Sequence, residues 1–511
     1  MLSACARLRS SRVFIGVLAA LSAFGCARTE SSITTFDDAA TARIGVMGGS
    51  VGETIVSERF PQADVKTFDD IMDAVAAMRA GQLDAVVTAY PAALQVTKTN
   101  LDLTLVGEPL SKEYSAVAAR PSDTALLAAV NRALDSLRRD GTLAAMRARW
   151  FKPDLSPYDE PLIVPSPTGA ALTIGVAATR EPTSFVDGDG RITGHEGELA
   201  RRLGALLGRP VEFSNMKFMA LIPALQSGKI DLVITGMSVT EERRKRVAFS
   251  STYFENAQRM LARKPASAQR APAPATGPTW FAGIGASIRS NLIQEQRYLL
   301  LVDGLMTTIL IALLSSAFGT LLGALVCYAR MSSVAALSLA AKGYIGVLRG
   351  TPVLVLLMLV FYVVFASVDI NPVLVAVLAF GMNFAAYVAE IFRTGIEGVD
   401  RGQTEAGMAM GFTKVATFVH IVLPQTLQRV LPVYKGEFIS MVKMTSVVGY
   451  IAVQDLTKAS DIIRSRTFDA FFPLILVALL YLLISWVLTR ALDALERRTN
   501  PQWRRRAQRP A

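Results

Sequence analysis

Two short stretches of the sequence carry groups that suit an anionic ligand. Arg243 follows Ser238 and Thr240, and a guanidinium group presents paired N–H donors that match the two oxygens of a carboxylate. The stretch Gly48-Gly49-Ser50 predicts a turn rich in backbone N–H groups, which also favours an anion. Arg243 taken alone has another interpretation, a solvated charge on a helix. The polar residues together favour a carboxylate-binding site.

Few residues in this chain suit catalysis or metal binding. The sequence has three Cys, Cys5, Cys26 and Cys327, and two His, and none falls into the spacing of a zinc or iron–sulfur site. A disulfide framework is excluded by that count, and nucleophilic triad chemistry is not expected. The sequence also lacks a Gly-x-x-x-x-Gly-Lys-Ser/Thr loop for nucleotide phosphates. We therefore predict no catalytic residue, no metal site and no cofactor.

The composition excludes a plain soluble enzyme. Hydrophobic residues make up 51% of the 511 positions, charged residues only 19%, and the net charge is +11. Soluble domains carry about 25% charged residues. The mean hydropathy of +0.37 points the same way and also excludes a disordered chain. The length allows about three domains.

Residues 1–26 are typical of an export signal. Three Arg residues precede the apolar run Val13–Phe24, which is shorter than the roughly 20 residues that span a bilayer. The segment Ala23-Phe24-Gly25-Cys26 is an imperfect lipobox, which makes Cys26 a candidate for lipidation. The alternative is a hydrophobic start that is not cleaved.

Residues 42–264 alternate between short β-branched runs and amphipathic helices. This alternation is typical of an open sheet covered by helices. Pro-rich stretches at 152–169 and 265–282 predict linkers. The predicted strands and helices are Ala42–Met47, Asp84–Thr88, Leu172–Ala177 and Asp231–Thr235, and Asp70–Arg79, Thr124–Arg138 and Glu198–Leu207.

Apolar segments after residue 290 predict an all-α transmembrane domain of about five helices over 290–500. The fourth segment carries four charged residues, so an amphipathic surface helix is its alternative. The segments are Leu299–Tyr328, Val353–Val368, Pro372–Ile391, Ile421–Val453 and Ala470–Thr489.

Charge placement orients this domain. Residues 490–511 contain seven Arg against Asp493 and Glu496, and the positive-inside rule puts such a tail in the cytoplasm. A basic tail can also bind nucleic acid, but the neighbouring membrane helix explains the charge more simply. Five helices then put residues 27–290 outside the cell, as the export signal does. We predict a multi-pass inner-membrane protein with a cytoplasmic tail, 501–511, and no nucleic-acid partner.

The stretch between the third and fourth membrane segments carries a spaced motif. It consists of Glu405-Ala406-Gly407, then Gly411, then Ile421-Val422-Leu423-Pro424. This spacing resembles the EAA loop of ABC importer permeases, and the alternative is an arbitrary cytoplasmic loop. The resemblance implies that Glu405, Ala406 and Gly411 couple the permease to a separate ABC ATPase, present in two copies, and that the permease forms a homodimer.

Neighbouring motifs narrow the resemblance to the polar-amino-acid permeases of ABC uptake systems, over about 290–500. The motifs that carry it are Arg349-Gly350-Thr351-Pro352, Asn383-Phe384-Ala385-Ala386-Tyr387, Glu390-Ile391-Phe392-Arg393, Glu437-Phe438-Ile439-Ser440 and Lys443-Met444-Thr445-Ser446. Met444 departs from the pattern, because many relatives carry Asp there.

The region before the membrane resembles the family 3 substrate-binding proteins of the same systems. Leu221–Asp231 and Gly236–Arg243 match the first half of that family, and Gly107–Leu110 with Asp140–Thr142 match the later half. The order is inverted, since 42–151 resembles lobe two plus the returning C-terminal segment and 170–264 resembles lobe one. We predict one circularly permuted two-lobed α/β domain, and two half-domains of a duplicated pair are the alternative.

The resemblance also implies a set of ligand-binding residues. Phe218 corresponds to the aromatic wall, Gly236 and Ser238 to donors for an α-carboxylate, and Arg243 to its guanidinium partner. Ser50 corresponds to a lobe-two donor. The full candidate set is Phe218, Gly236, Ser238, Arg243, Ser50, Thr88 and Arg180.

Two departures weaken the expected amino-acid specificity. Ala89 and Ala177 stand where many relatives carry acids that hold the ammonium group of the ligand. Glu181, Glu196 or Tyr90 could compensate. With these acids lost and Arg180 gained, we expect acidic or neutral ligands to be favoured over basic ones.

The function favoured by these patterns is a fused substrate-binding and permease subunit of an ATP-driven ABC importer for polar or acidic amino acids. One alternative is a ligand sensor or regulatory receptor with a degenerate amino-acid pocket. A ligand-gated channel is another, because channel receptors share the binding fold. Both lobes precede the membrane region, however, and together with the EAA-like loop this order disfavours a channel.

Overall fold

The structure consists of a two-lobed α/β part followed by a helical part. It is a computed structural model that describes residues 33–151, 158, 161, 169–265, 285, 287–366, 368, 370–467, 469 and 471–499. The predicted signal segment with Cys26, most of both linkers and the tail 501–511 lie outside these residues. The predicted fold class is confirmed.

Lobe two is a five-stranded sheet between helices, in the strand order β2-β1-β3-β13-β4. Ile44 and Val46 are fully buried in its first strand, as the β-branched pattern predicts. Asp70 begins the second helix by accepting a hydrogen bond from the Met72 amide at 2.9 Å. The elements are β1 (Arg43–Met47), α1 (Val51–Arg59), β2 (Asp64–Phe68), α2 (Ile71–Arg79), β3 (Ala85–Ala89), α3 (Tyr90–Thr99), β4 (Leu103–Val106) and β13 (Gln258–Arg263).

Lobe one has a five-stranded sheet in the order β10-β6-β11-β5-β12 and a small three-stranded sheet, β7-β8-β9. Leu134 and Trp150, which belong to two successive helices of this lobe, are buried in its core. The strands are β5 (Glu113–Ala119), β6 (Leu172–Val176), β7 (Thr179–Arg180), β8 (Ser184–Val186), β9 (Ile192–Thr193), β10 (Val211–Asn215), β11 (Leu232–Val233) and β12 (Ala248–Asn256). The helices are α4 (Thr124–Arg139), α5 (Thr142–Trp150), α6 (His195–Leu207), α7 (Leu221–Gln226) and α8 (Glu241–Arg244).

Each sheet takes one strand from the other stretch of chain. In lobe one, β5 lies between β11 and β12 and runs antiparallel to both. In lobe two, β13 lies between β3 and β4 and runs antiparallel to both. The chain therefore crosses between the lobes at residues 107–112 and again at Ala257. The alternating sequence pattern predicts strands, but it does not reveal this exchange.

Within the described residues, the helical part contains three helices long and apolar enough to cross a membrane, or up to five candidate spans if each of two bent pairs counts as one. The two pairs are bent by 109° and 56° at their breaks. The helices are α9 (Tyr298–Arg330), α10 (Ala335–Gly350), α11 (Val353–Leu359), α12 (Pro372–Glu397), α13 (Arg401–Ala409), α14 (Lys414–Thr417), α15 (Leu423–Met444), α16 (Leu456–Thr467) and α17 (Phe472–Thr499).

Small residues let the two central helices, α9 and α12, approach closely. A Cβ at Gly319 would come within 2.6 Å of the Gly381 carbonyl oxygen, and one at Gly323 within 2.9 Å of Val388. Phe380 and Phe384 are buried at this contact. Close packing over small residues is the usual basis of helix association in a membrane.

Candidate ligand-binding site

A cavity of about 30 Å³ lies between the two lobes. All seven candidate ligand residues from the sequence line it, although they come from both lobes and from positions 50 to 243. The structure therefore brings the predicted set together. The lining comprises Met47, Ser50, Val51, Ile71, Val87, Thr88, Ala89, Arg180, Phe218, Gly236, Ser238, Arg243, Asn256 and Gln258.

Arg243 joins the two lobes across this cavity. Its helix, α8, is short and is capped by Thr240, whose hydroxyl accepts a hydrogen bond from the Arg243 amide at 3.2 Å. One guanidinium nitrogen, Nη1, donates to the Ser238 carbonyl oxygen, and the other, Nη2, donates to the Gly49 carbonyl oxygen of lobe two, each at 2.8 Å. Burial lowers the pKa of Arg243, and Glu113 opposes that effect. A carboxylate that binds Arg243 would replace neutral carbonyl partners, not another anion.

Ser238 and Gly236 have internal partners in this structure. The Ser238 hydroxyl donates to the Glu113 carboxylate, which also accepts from the Ser111 hydroxyl at 2.7 Å. The Gly236 amide donates to the Tyr253 hydroxyl at 3.1 Å. Their predicted role as donors to a ligand carboxylate requires these bonds to be exchanged, and it stays a prediction.

Arg180 lies beside the ring of Phe218 and lines the same cavity. Its Nη2 atom donates to the Thr235 carbonyl oxygen and to the Thr235 hydroxyl. The Phe218 ring centroid lies 5.6 Å from the guanidinium carbon of Arg180 and 5.5 Å from that of Arg243. At these distances both cations are attracted by the ring. Phe218 therefore acts as a platform for two guanidinium groups.

Glu196 is buried directly behind this wall. Its Oε1 atom accepts from the Tyr253 hydroxyl at 3.1 Å, and a Cβ at Gly236 would come within 3.0 Å of it. Gly236 has a φ of +60°, so both its conformation and its surroundings favour glycine. Burial raises the pKa of Glu196 to about 7, although the Arg180 charge opposes the rise. Glu196 does not line the cavity itself.

The lobe-two wall offers fewer free donors than its sequence suggests. Ser50 precedes α1 and lines the cavity, but the Gly49 amide donates to the Glu53 carboxylate at 2.7 Å. This carboxylate already occupies part of the predicted anion-binding turn. Thr88 is the last residue but one of β3 and stays a candidate donor.

Asn256 and Gln258 are lining residues that the motifs did not reveal. They flank Ala257, where the chain crosses from lobe one to lobe two. The sequence alone does not show that these polar residues lie beside an interlobe crossover, because it does not reveal the strand exchange.

A second, larger cavity of about 360 Å³ adjoins the first. Ser50, Val51, Phe218 and Arg243 line both cavities, so these four residues form the boundary between them.

The EAA-like segment lies at the far end of the helical part. Helix α12 begins near Val368, whose carbonyl oxygen accepts from Lys229 of lobe one, and its 26 residues measure about 39 Å. Glu405 and Ala406 are exposed on α13 beyond the other end of that helix. Gly411 follows α13 with a φ of +87°, which favours glycine, and it faces open space.

Comparisons with known proteins identify both parts. The family of bacterial extracellular solute-binding proteins, family 3, matches residues 172–470, which is more than half of the chain. The chain belongs to this solute-binding family. It is also 35% identical over 217 residues to the L-cystine transport system permease protein TcyB of Bacillus subtilis (strain 168), covering 42% of this chain and 93% of that protein.

Another permease relative agrees. The chain is 34% identical over 202 residues to the glutamine transport system permease protein GlnP of Escherichia coli (strain K12), covering 39% of this chain and 92% of that protein. A crystal structure of an amino acid ABC transporter with histidines is 32% identical and covers 44% of this chain and all of that chain, with a TM-score of 0.38. The family 3 solute-binding domain is thus fused to a homologue of amino-acid ABC permeases, in an integral membrane protein.

Both lobes of the solute-binding domain contact the permease part through charged groups. Lys217 of lobe one forms an ion pair with Asp461 of α16 at 2.7 Å. Asp73 of lobe two forms one with Arg464 of the same helix at 2.6 Å. The Arg464 side chain is only 3% exposed. One permease helix therefore binds both lobes, one turn apart.

Proposed function

We propose that this chain is the fused substrate-binding and permease subunit of an ATP-driven ABC importer for a polar or acidic amino acid. The observation that carries the proposal is the cavity between two lobes that are both ion-paired to one helix of the permease. In such an arrangement, a ligand that draws the lobes together also changes the contacts that the permease receives. The named activities of the permease relatives support the ligand class.

In this proposal Arg243 binds the ligand carboxylate. The guanidinium group exchanges its bond to the Gly49 carbonyl oxygen for a charge-assisted bond, which is stronger than one to a neutral acceptor. Phe218 packs against the apolar part of the ligand. The remaining contacts come from Ser50, Thr88, Arg180, Gly236 and Ser238.

The ATPase is a separate chain in two copies, and two copies of the permease form a homodimer. Glu405, Ala406 and Gly411 contact the ATPase, since they are exposed about 39 Å along α12 from the solute-binding lobes. The chain acts as a transporter subunit and leaves ATP hydrolysis to its partner. This division assigns ligand recognition and ATPase coupling to opposite ends of the bundle.

The test is ATP-dependent uptake in proteoliposomes that contain the full chain and its ATPase. We expect Arg243→Ala to weaken ligand binding roughly ten- to a hundredfold, because a charge-assisted hydrogen bond contributes about 1.5–3 kcal/mol. Arg244→Ala is the matched control, because this neighbour on α8 has a 55% exposed side chain and does not line the cavity. Binding without any ATP-dependent uptake would favour the sensor alternative.

The proposed orientation has its own test. A reporter active only outside the cytoplasm should be active when fused within 265–278 and silent when fused after Ala511. Both positions lie outside the described residues. The reverse pattern would contradict a solute-binding domain on the extracytoplasmic side.

A further inference from the structure

Arg180 and Arg243 are two cavity-lining cations whose hydrogen-bond partners are uncharged. Arg243 donates to carbonyl oxygens of Ser238 and Gly49, and Arg180 donates to the carbonyl oxygen and hydroxyl of Thr235. The Nε atom of Arg180 is buried and has no hydrogen-bond partner among the described residues. Both guanidinium groups therefore keep much of their capacity to bind an anion.

The nearby carboxylates are occupied outside the cavity lining. Glu196 is 2% exposed behind Gly236 and accepts from the Tyr253 hydroxyl, and Glu113 is 7% exposed and accepts from two serine hydroxyls. Glu196 attracts Arg180 and Glu113 attracts Arg243, each from outside the cavity lining. An ammonium group in the inner cavity would thus face two cations at the Phe218 ring and no lining carboxylate. In the adjoining outer cavity the carboxylate of Glu242 is matched by the guanidinium of Arg246, so Arg243 leaves the joined lining with an excess of positive charge.

The neutral acceptors in the lining do not change this balance. Thr88, Asn256 and Gln258 can accept a hydrogen bond, but they carry no charge to offset that of an ammonium group. A ligand carboxylate, in contrast, gains a charge-assisted bond at each guanidinium. The lining therefore favours a ligand with two carboxylates, one for each guanidinium group.

We propose that this cavity selects a dianionic ligand, a dicarboxylate, with one carboxylate for each guanidinium, and that it does not require an ammonium group. The inference rests on the proposed function, because it specifies the ligand of the same site. It extends that function from amino acids to dicarboxylic acids that carry no amino group.

The two adjoining cavities provide the space. The inner cavity of about 30 Å³ is too small for a dicarboxylate, and the outer one of about 360 Å³ is not. Arg243 is one of four residues that line both cavities, so a carboxylate that draws Arg243 away from Gly49 opens the boundary between them. The second carboxylate then lies within reach of Arg180.

Calorimetry on the full chain in nanodiscs tests this with four ligands: glutarate, L-glutamate, L-glutamine and L-lysine. We expect both dicarboxylates, glutarate and L-glutamate, to bind roughly tenfold or more tightly than L-glutamine, since one charge-assisted bond separates them. L-lysine should bind most weakly. The comparison of glutarate with L-glutamate isolates the ammonium group and needs no variant.

Variants assign the second carboxylate to its partner. Arg180→Gln should abolish the preference for L-glutamate over L-glutamine, because the amide and the carboxylate then meet a neutral side chain. Arg244→Gln removes one positive charge from exposed α8 and should leave the preference unchanged.

Three outcomes would overturn the inference: L-glutamate binds and glutarate does not, L-glutamine binds more tightly than L-glutamate, or neither dicarboxylate binds. If L-glutamine nevertheless drives ATP-dependent uptake, the importer function stands while the dicarboxylate preference fails. Loss of all uptake with every ligand would instead contradict the importer function.

Discussion

The ion pair between Lys217 and Asp461 gives the sharpest test of how the solute-binding domain is held on the permease. The two atoms Nζ and Oδ2 lie 2.7 Å apart, and the side chains are 17% and 9% exposed. Burial alone would lower the pKa of Lys217, but the attraction of Asp461, Asp70 and Asp69 outweighs it and raises the pKa. We therefore expect Lys217 to be charged in the docked state.

Lys217→Met removes this charge and keeps much of the apolar stem. Breaking one partner of a buried pair costs about 3–5 kcal/mol. Asp461 keeps Arg464 at 3.7 Å, and both side chains of the broken pair retain some exposure, so the low end applies. A cost of about 3 kcal/mol lowers the ratio of docked to undocked domain roughly a hundredfold.

Energy transfer between dyes on lobe one and on the permease measures that ratio, and proteoliposome uptake gives its consequence. A double-mutant cycle with Asp461→Asn separates the pair from side effects of each substitution. Lys245→Met is the matched control, because Lys245 is exposed on lobe one. A stabilising ion pair is contradicted if Lys217→Met behaves as Lys245→Met does. It is also contradicted if the effects of Lys217→Met and Asp461→Asn are additive.

Three further predictions follow from other parts of the structure. Gly411→Val should reduce uptake and stimulated ATP hydrolysis while ligand binding stays normal, because φ is +87° at this exposed turn; normal uptake would contradict the coupling role. Segments 33–151 and 169–265, expressed separately, should each fail to fold cooperatively, because each lacks a strand of its sheet; cooperative unfolding of either segment alone would favour two half-domains. His195→Phe should reduce acid sensitivity, because burial lowers the pKa of His195 from 6.5 to about 4. Below pH 6.5 the unfolded state then binds more protons than the folded state, so the free energy of unfolding of the wild type falls by about 2 kcal/mol between pH 7 and pH 5. The fall in its thermal midpoint should be smaller in the variant, and an equal fall would exclude His195 as the cause.

Local sequence was enough to predict most elements and the chemistry of single stretches. The strands at Leu172–Ala177 and Asp84–Thr88 were predicted to within one residue at each end, because β-branched runs bounded by polar residues are a local signal. The match of the chain to solute-binding proteins and permeases rested on motifs of the same local kind. Seven residues proposed from such motifs line one cavity.

One helix shows where local signals fail. The sequence pattern predicts no membrane helix over Ala335–Gly350, yet α10 forms there and is bent by 109° against the helical segment that follows. Its polar and small residues weaken the apolar signal, and its position depends on contacts with the central helices. Packing therefore decided an element that periodicity did not indicate.

What the sequence by itself determined is the set of groups and the order in which they occur. Only the tertiary structure decided their partners: Ser238 with Glu113 across 125 residues, and Lys217 with Asp461 across 244. It also decided that β5 completes one sheet and β13 the other. The physical reason is that propensity and periodicity act over a few residues, whereas a hydrogen bond or ion pair between distant segments exists only after the lobes and the bundle have packed.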